Sequence, residues 1–357
     1  MKVVCDQKIP FLPGALEHAG IQVEYLPPAK ITPEAVRHAD ALFVRTRTRC
    51  DARLLDAAAV RFIATCTIGF DHLDTEYLAK RGIAWASAPG CNAQSVAQYV
   101  AAVLASLGIG SGKTLGIVGV GHVGRAVERV ALAIGMRVLR NDPPRAAREG
   151  SAAFVPLREL LATSDAVTVH VPGGDATRNL AGLEFFAGMK PDALFINTSR
   201  GTVADPAALA SRWGPLVLDV WPGEPDIDRA LLEKTVFGTP HIAGYSSDGK
   251  ANGTAMGIRA FADFFGIEAL RDFDVRALPP PGEPDFRLPE RDQIRAAILH
   301  TYDPAEDTAK LRRNPALFET IRNDYPVRRE FHAFSLHGAA PENLHPLSQL
   351  GFNIEEP

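Results

Sequence analysis

Cysteine is scarce in this chain: 357 residues contain four, Cys5, Cys50, Cys66 and Cys91, and none forms a C-x-x-C pair. That excludes a disulfide framework and a paired-cysteine metal or redox motif, and no metal site is expected. Cys5 and Cys66 sit in apolar, strand-like runs and read as small buried hydrophobes. Long apolar stretches are missing as well. The most sustained, Val96 to Ile109, is shorter than ~18 residues and is interrupted by Gln98, Tyr99 and Ser106, so no membrane span is expected. Met1–Asp6 reaches an acidic residue too soon for a signal sequence, which makes the cytoplasm the expected compartment. Nor is there an excess of one charge. Lys plus Arg number 38 and Asp plus Glu 42, a net charge of −4 that gives no broad basic face for nucleic acid. Internal repeats and low-complexity tracts are also absent.

What is present is alternation. Lys2–Asp6, Ile21–Tyr25, Ala41–Arg45, Arg61–Cys66 and Ile83–Ala86 are short and rich in Val, Ile, Phe or Tyr, with helical stretches such as Thr32–Ala39 and Asp74–Arg81 between them. Strands alternating with helices predict a parallel sheet covered on both faces. A long helix starts near Asn92, with Ala93, Val96, Ala97, Val100, Ala101 and Leu104 on one apolar stripe. A second alternating region follows, with strands Thr114–Gly119, Met136–Arg140, Ala166–His170, Ala193–Asn197 and Leu216–Val220, and a helix from His122 to Ile134. Asp248–Ile267 reads as a helix crossing back to the first region. Five prolines between Pro279 and Pro289 predict a stiff extended linker. Beyond it lie two or three amphipathic helices and a strand around Phe331–Leu336. The expected fold class is α/β: two doubly wound parallel-sheet (Rossmann-like) domains plus a small α+β C-terminal domain. The expected boundaries are 1–91 with 246–280, then 92–245, then 281–357.

Gly119-Val120-Gly121-His122-Val123-Gly124 is a G-x-G-x-x-G that follows a strand and opens a helix, and Asp142 lies 18 residues further on at the end of the next strand. In that setting the motif predicts a dinucleotide site. Gly119 permits the turn, Gly121 lets backbone N–H groups approach a pyrophosphate at the helix N-terminus, and Gly124 allows close packing. Asp142 would accept from the ribose hydroxyls and repel a 2′-phosphate, which favours NAD over NADP.

Three later loops carry reactive groups at the ends of strands: Asn197-Thr198-Ser199-Arg200-Gly201, Asp219-Val220-Trp221-Pro222-Gly223-Glu224-Pro225, and Thr239-Pro240-His241-Ile242-Ala243-Gly244-Tyr245. Ligands of open α/β sheets bind beyond the carboxyl ends of the strands, so these loops are expected to converge. With its Arg-Gly, Glu-Pro and Pro-His contexts, the chain resembles the D-2-hydroxyacid dehydrogenase family. The resemblance implies catalytic roles for Arg200, Glu224 and His241. Histidine suits the task of taking a hydroxyl proton while hydride leaves C2, a carboxylate would fix its tautomer, and an arginine fork can grip a substrate carboxylate. It further implies that Val171, Thr198, Ser199, Arg200, Asp219 and Gly244 line the cofactor together with Gly119, Gly121, His122, Val123, Gly124 and Asp142.

Within that family the resemblance runs through nearly the whole chain to members that act on a short phosphorylated hydroxy acid. It is carried by Val44-Arg45-Thr46, by Thr67 to Asp74, by Ala88 to Ala93, by His241 to Tyr245 and on through Gly249-Lys250-Ala251, by Asp142-Pro143-Pro144-Arg145, and by Tyr325 to Phe331. It implies that Thr46, Thr67 and Tyr245 contact substrate and that the tail forms a homodimer. Arg45, Arg47 and Arg49 share parity, so an extended segment would turn all three to one face. Arg45 and Arg47 are therefore candidates to hold the phosphate, with Arg328 and Arg329 as further candidates from a partner subunit. The stretch from Gly201 to Asp219 is short by about one helical turn, about four residues. The alternatives are a dehydrogenase of 3-phosphoglycerate or of an unphosphorylated acid such as glycerate, and an NAD-sensing binding protein on the same scaffold.

Overall fold

The structure is a computed structural model and describes residues 1–355. It divides into two compact units, Met1–Asn92 with Ser247–Pro279, and Ala93–Ser246 with Pro280–Pro357.

The first unit is built on strands β1 (Lys2–Asp6), β2 (Gln22–Leu26), β3 (Ala41–Val44), β4 (Phe62–Thr65) and β5 (Ala84–Ala86), ordered β2-β1-β3-β4-β5. All pairings are parallel. Such strands are buried on both faces, which is why they read as unbroken apolar runs and not as alternations. Val3, Cys5, Phe43 and Phe62 face one layer with Ile258 and Phe261 of the helix Ser247–Phe265, while Val4, Leu42, Val44 and Ile63 face the other with Leu54, Leu55 and Leu78. Helix ends follow local chemistry. Thr32 caps Pro33–Val36, shorter than the Thr32–Ala39 expected, and Asp74 caps Thr75–Arg81, which Gly82 closes in the left-handed region. From β1 the chain goes to β2 on one side and then to β3 on the other, so the strand ends at Asp6 and Val44 flank a topological switch point.

One expectation fails there. Beyond Val44 the chain turns, with the Thr48 N–H donating to the Arg45 carbonyl (3.1 Å), so the parity argument for Arg45, Arg47 and Arg49 does not hold. Arg45 instead pairs with the fully buried Asp6, Nε to Oδ2 at 2.9 Å, and the exposed Arg49 with Asp51 at 3.3 Å.

The second unit carries β6 (Thr114–Val118), β7 (Arg137–Asn141), β8 (Ala166–Val169), β9 (Leu194–Asn197), β10 (Leu216–Leu218) and β11 (Phe237–Gly238), all parallel in the order β11-β10-β9-β8-β6-β7. Its switch point falls between β6 and β8, where the glycine motif leaves β6. A second, three-stranded parallel sheet joins β12 (Asp285–Arg287), β13 (Ser335–His337) and β14 (Asn353–Glu355). The proline-rich stretch read as a linker thus contains a strand, because Asp285–Arg287 is a proline-free interval whose N–H groups remain available. Phe331–Ala333, expected to begin a strand, is a 3-10 turn, and the strand starts at Ser335.

The tail was set apart by sequence, yet it shares a core with the nucleotide fold: Phe331, Phe334, Leu336 and Leu347 pack in one cluster with Tyr99, Val100, Val103 and Leu104. The helix Ala93–Ser106 is consequently buried on nearly every side, Ser95 and Gln98 included at 0% exposure, although a single stripe was expected. Gln98 donates to the Arg329 carbonyl (2.9 Å) on the face the tail covers. Among the described residues no helix is long and apolar enough to cross a membrane, and no group of His, Cys, Asp or Glu is arranged to hold a metal ion.

Candidate active site

Beyond β6 the backbone turns through Gly119 at φ +87°, and a Cβ there would lie 2.6 Å from the His170 carbonyl oxygen and 2.9 Å from a Val171 methyl. Only glycine fits. A Cβ on Gly124 would overlap the Gly119 carbonyl, so the helix His122–Ala133 can start this close to β6 for want of a side chain. Gly121, the N-cap, has open space around it, and His122 is exposed, with Val123 half-buried behind it. The helix N-terminus with its free N–H groups therefore faces outward, as an anion site requires. Asp142 follows β7. Its Oδ2 accepts from the Val120 N–H (2.9 Å) and its Oδ1 from the Arg145 N–H (3.0 Å), so it caps Pro143–Glu149 and ties that helix to the glycine loop. Each oxygen keeps a lone pair for a ribose hydroxyl. A turn that admits only glycine at positions 119 and 124, an open helix N-terminus at Gly121 and a held carboxylate beside them fit a dinucleotide.

The loops after β9, β10 and β11 meet through backbone contacts. A Cβ on Gly201 would overlap the Trp221 carbonyl and crowd the Pro222 nitrogen, so the Arg200 turn lies directly on the Trp221-Pro222 backbone. The Trp221 N–H donates to Glu224 Oε1 (2.7 Å), and Glu224 Oε2 meets His241 Nδ1 at 2.8 Å. Despite the short 201–219 stretch, the backbone beside Arg200 thus adjoins the loop of Glu224, which in turn holds His241. Trp221 also donates from Nε1 to the Thr239 carbonyl (2.9 Å).

Burial works against ionising Glu224, but the hydrogen bond from His241, the imidazole charge and the Trp221 N–H outweigh it and hold the carboxyl below the usual range. Glu224 is thus a carboxylate, His241 Nδ1 carries the hydrogen, and Nε2 is left as the basic nitrogen. His241 itself has φ +57°, an uncommon conformation for a side chain-bearing residue. It is enforced from below, where the His241 N–H donates to the Asp219 carbonyl (2.7 Å).

Asp219, 1% exposed, accepts from Thr239 Oγ1 (2.7 Å) and from the N–H groups of Ile242 (2.7 Å) and Ala243 (2.9 Å). Burial pushes its carboxyl up against the pull of His241 and these donors. It is thus the floor of the histidine loop, and its carboxylate is fully engaged with protein. Ser199, expected at the cofactor, is buried and gives its hydroxyl to Asn197 Oδ1 (3.0 Å), so it offers backbone only. Thr198 Oγ1 lies 3.3 Å from His170 Nδ1, and Thr168 Oγ1 lies 3.0 Å from the other ring nitrogen. Burial pushes His170 down to about 3, so this imidazole is neutral. Arg200 is half-buried and turns one arm of its fork to the Ser199 carbonyl (2.8 Å). Gly244 and Tyr245 are half-buried at the end of the histidine loop.

In the first unit, Arg45 and Thr46 follow β3 and Thr67 follows the adjacent β4, all at carboxyl ends. Thr67 Oγ1 donates to the Gly69 carbonyl (3.0 Å) and lies 2.8 Å from Thr65 Oγ1. Arg47 is exposed. None of the four cysteines is in a disulfide; burial lifts Cys5 and Cys66 far above the ordinary range, and Cys50 is pushed up to about 12.

Sequence reasoning gave no role to Trp221 or Thr239, and it gave Arg328 the wrong one. Arg328, 5% exposed, donates from Nη2 to Ser95 Oγ and to the Ala243 carbonyl. It is thus sealed inside its own chain and is withdrawn as a candidate reaching into a partner subunit. The signal was a Tyr-Pro-Val-Arg-Arg-Glu-Phe segment valued for likeness alone.

Residues 103–243 match the family of D-isomer specific 2-hydroxyacid dehydrogenases in its NAD binding domain, and residues 287–351 match a domain of unknown function, DUF3410. The D-lactate dehydrogenase of Aquifex aeolicus, solved with NAD and lactic acid, shares the fold at TM-score 0.62 and 24% identity, covering 78% of this chain and 100% of that one. An erythronate-4-phosphate dehydrogenase of Bacteroides fragilis is 48% identical over 94% of this chain and 99% of its own length. One from Porphyromonas gingivalis is 42% identical over 99% and 100%. The chain is a D-isomer-specific 2-hydroxyacid dehydrogenase and belongs to the erythronate-4-phosphate dehydrogenase family.

Proposed function

We propose that this chain oxidises 4-phospho-D-erythronate to (R)-3-hydroxy-2-oxo-4-phosphooxybutanoate with NAD, a step toward pyridoxine 5′-phosphate. The observation that carries the chemistry is the Nδ1–Oε2 pair of His241 and Glu224 at 2.8 Å. Kinship with the Bacteroides fragilis enzyme supports the substrate.

In this reading His241 Nε2 takes the proton of the C2 hydroxyl as the C2–H bond breaks. The Glu224 carboxylate holds the ring in the tautomer that leaves Nε2 free and stabilises the imidazolium that results. Arg200 grips the substrate carboxylate through its guanidinium fork, and its charge favours oxygen charge building at C2. NAD, when bound, supplies the acceptor for the hydride. The Gly119–Gly124 turn would hold its pyrophosphate and Asp142 its ribose. Val171, which packs over Gly119, supports a place for the cofactor ring beside it, with Thr198 and Gly244 close by in sequence to Arg200 and His241. Thr46, Thr67 and Tyr245 are read as substrate contacts, and Arg45 and Arg47 as holding the phosphate.

A second copy of the chain is the proposed partner, docking through the C-terminal region, where Leu317, Val327 and Leu344 are large exposed apolar side chains. Four cysteines with no disulfide among them are in keeping with a reducing compartment, the cytoplasm. The test is an assay of purified protein with NAD and 4-phosphoerythronate beside 3-phosphoglycerate, glycerate and lactate. Turnover of the first is expected to dominate, and preferred turnover of any other acid overturns the substrate assignment.

A further inference from the structure

Residues 322–330 run along the loop that bears His241 and Tyr245. The Arg322 guanidinium lies over the Tyr245 ring, 5.5 Å from its centre, and Tyr325 meets the same ring edge-on at 6.0 Å. Glu330 Oε1 accepts from Ser246 Oγ (2.9 Å) at the far end of the loop. Between these contacts, Arg328 donates to the Ala243 carbonyl and to Ser95 on the helix Ala93–Ser106. The Ala243 N–H donates to Asp219, and its carbonyl accepts from Ser95 Oγ (2.9 Å) as well as from Arg328, so both backbone groups of this residue are held, and Arg328 grips the carbonyl and the serine together.

Arg328 is an expensive way to hold a loop. Its Nε and Nη1 find no hydrogen-bond partner among the described residues, and the guanidinium rests on the rings of Tyr302 (4.7 Å) and Tyr325 (5.9 Å). The hydroxyls of those tyrosines in turn donate to the buried Asp307, at 3.2 and 2.7 Å. A desolvated cation contributes little net stability compared with an apolar side chain of equal size, so what it provides here is a fixed geometry.

We propose that Arg328 is a positioning residue for the dehydrogenase reaction: by gripping the Ala243 carbonyl it fixes the His241–Tyr245 loop, and it makes the domain of unknown function part of its own chain's active site. The proposal rests on the reading of His241 as the base.

The test uses the full chain with Arg328→Met, which keeps volume and removes donors and charge, and Arg328→Lys, which keeps the charge without the fork. Turnover is measured with 4-phosphoerythronate bearing hydrogen or deuterium at C2, NADH binding by fluorescence titration, and folding by thermal melts. For Arg328→Met a loss of roughly 10²-fold in kcat is expected, the scale of a misplaced catalytic group. NADH affinity should stay within about threefold of wild type and the deuterium effect on kcat should rise, because the chemical step has become limiting. Arg328→Lys should fall between the two. The proposal is overturned if Arg328→Met keeps kcat within about twofold, or if both variants lose activity in step with NADH binding and folded fraction while the isotope effect is unchanged. Wild-type protein inert toward every 2-hydroxy acid would instead overturn the functional reading, before any variant is made.

Discussion

Gly201 rests against the carbonyl of Trp221 so closely that a single methyl group has no room between them. Through this contact the arginine turn after β9 is seated on the loop that carries Glu224. Gly201→Ala must therefore shift one loop against the other. The expected result is a loss of kcat/KM on the order of 10²-fold, with stability reduced by about 1–3 kcal/mol as for other overpacked sites. Steady-state kinetics beside a urea titration check it, and a fully active alanine variant would show that the two loops move independently.

Glu224→Gln tests the acid behind the base. An amide can donate to Nδ1 and so favour the wrong tautomer, and kcat should drop by ~10²–10⁴ with NADH affinity retained. The pH dependence follows from the sign of the shift. The Glu224 carboxyl is lowered in the folded protein, so its contribution to stability is complete above the ordinary carboxylate range and is lost as pH falls through the lower folded value. The glutamine variant should lack that part of the acid-unfolding curve.

Asp142 has two tasks that can be separated. Asp142→Ala should narrow the preference for NAD over NADP and also lose the helix cap, about 1 kcal/mol. Asp142→Asn should narrow the preference while keeping the cap to Arg145. The ratio of kcat/KM for the two cofactors and the melting temperature report each separately; an unaltered ratio means something else holds the ribose.

His170 predicts a pH signature in stability. Its folded value of about 3 is far below the ordinary 6.5, so between those values the unfolded chain binds a proton that the folded chain refuses. Stability should therefore fall as pH drops below the ordinary value, by up to ~1.4 kcal/mol per pH unit from this group. His170→Asn should flatten that slope in urea titrations across the acid range. An unchanged slope would mean the ring is protonated in the folded state.

Arg45 and Arg47 bear on the phosphate. Replacing both with Ala should raise KM for the phosphorylated acid far more than for its dephospho analogue. Since Arg45 also neutralises Asp6, a single Arg47→Ala variant separates phosphate binding from loss of that pair.

What the sequence revealed and what it hid divide by range. The glycine turn, the apolar parallel strands and the caps at Asp74 and Asp142 are decided within a few residues, and they were legible. So were Glu224 and His241, because each sits in a short marked loop. The turn after Val44 was not, since its alternating arginines imitate an extended segment while Asp6, thirty-nine positions away, draws the first of them inward. The second buried face of Ala93–Ser106 was hidden for the same reason. Ser95 and Gln98 look like solvated positions until Arg328 and the Arg329 carbonyl, more than two hundred residues later, arrive to meet them.

That shared helix has a consequence for biosynthesis. Until residues 322–330 have been synthesised, the outer face of Ala93–Ser106 stays wet and the histidine loop has Ser95 but not Arg328 above it. On the proposed role of Arg328, a nascent chain halted near Pro280 would carry the glycine turn and Asp142 but would leave the Ala243 carbonyl to Ser95 alone.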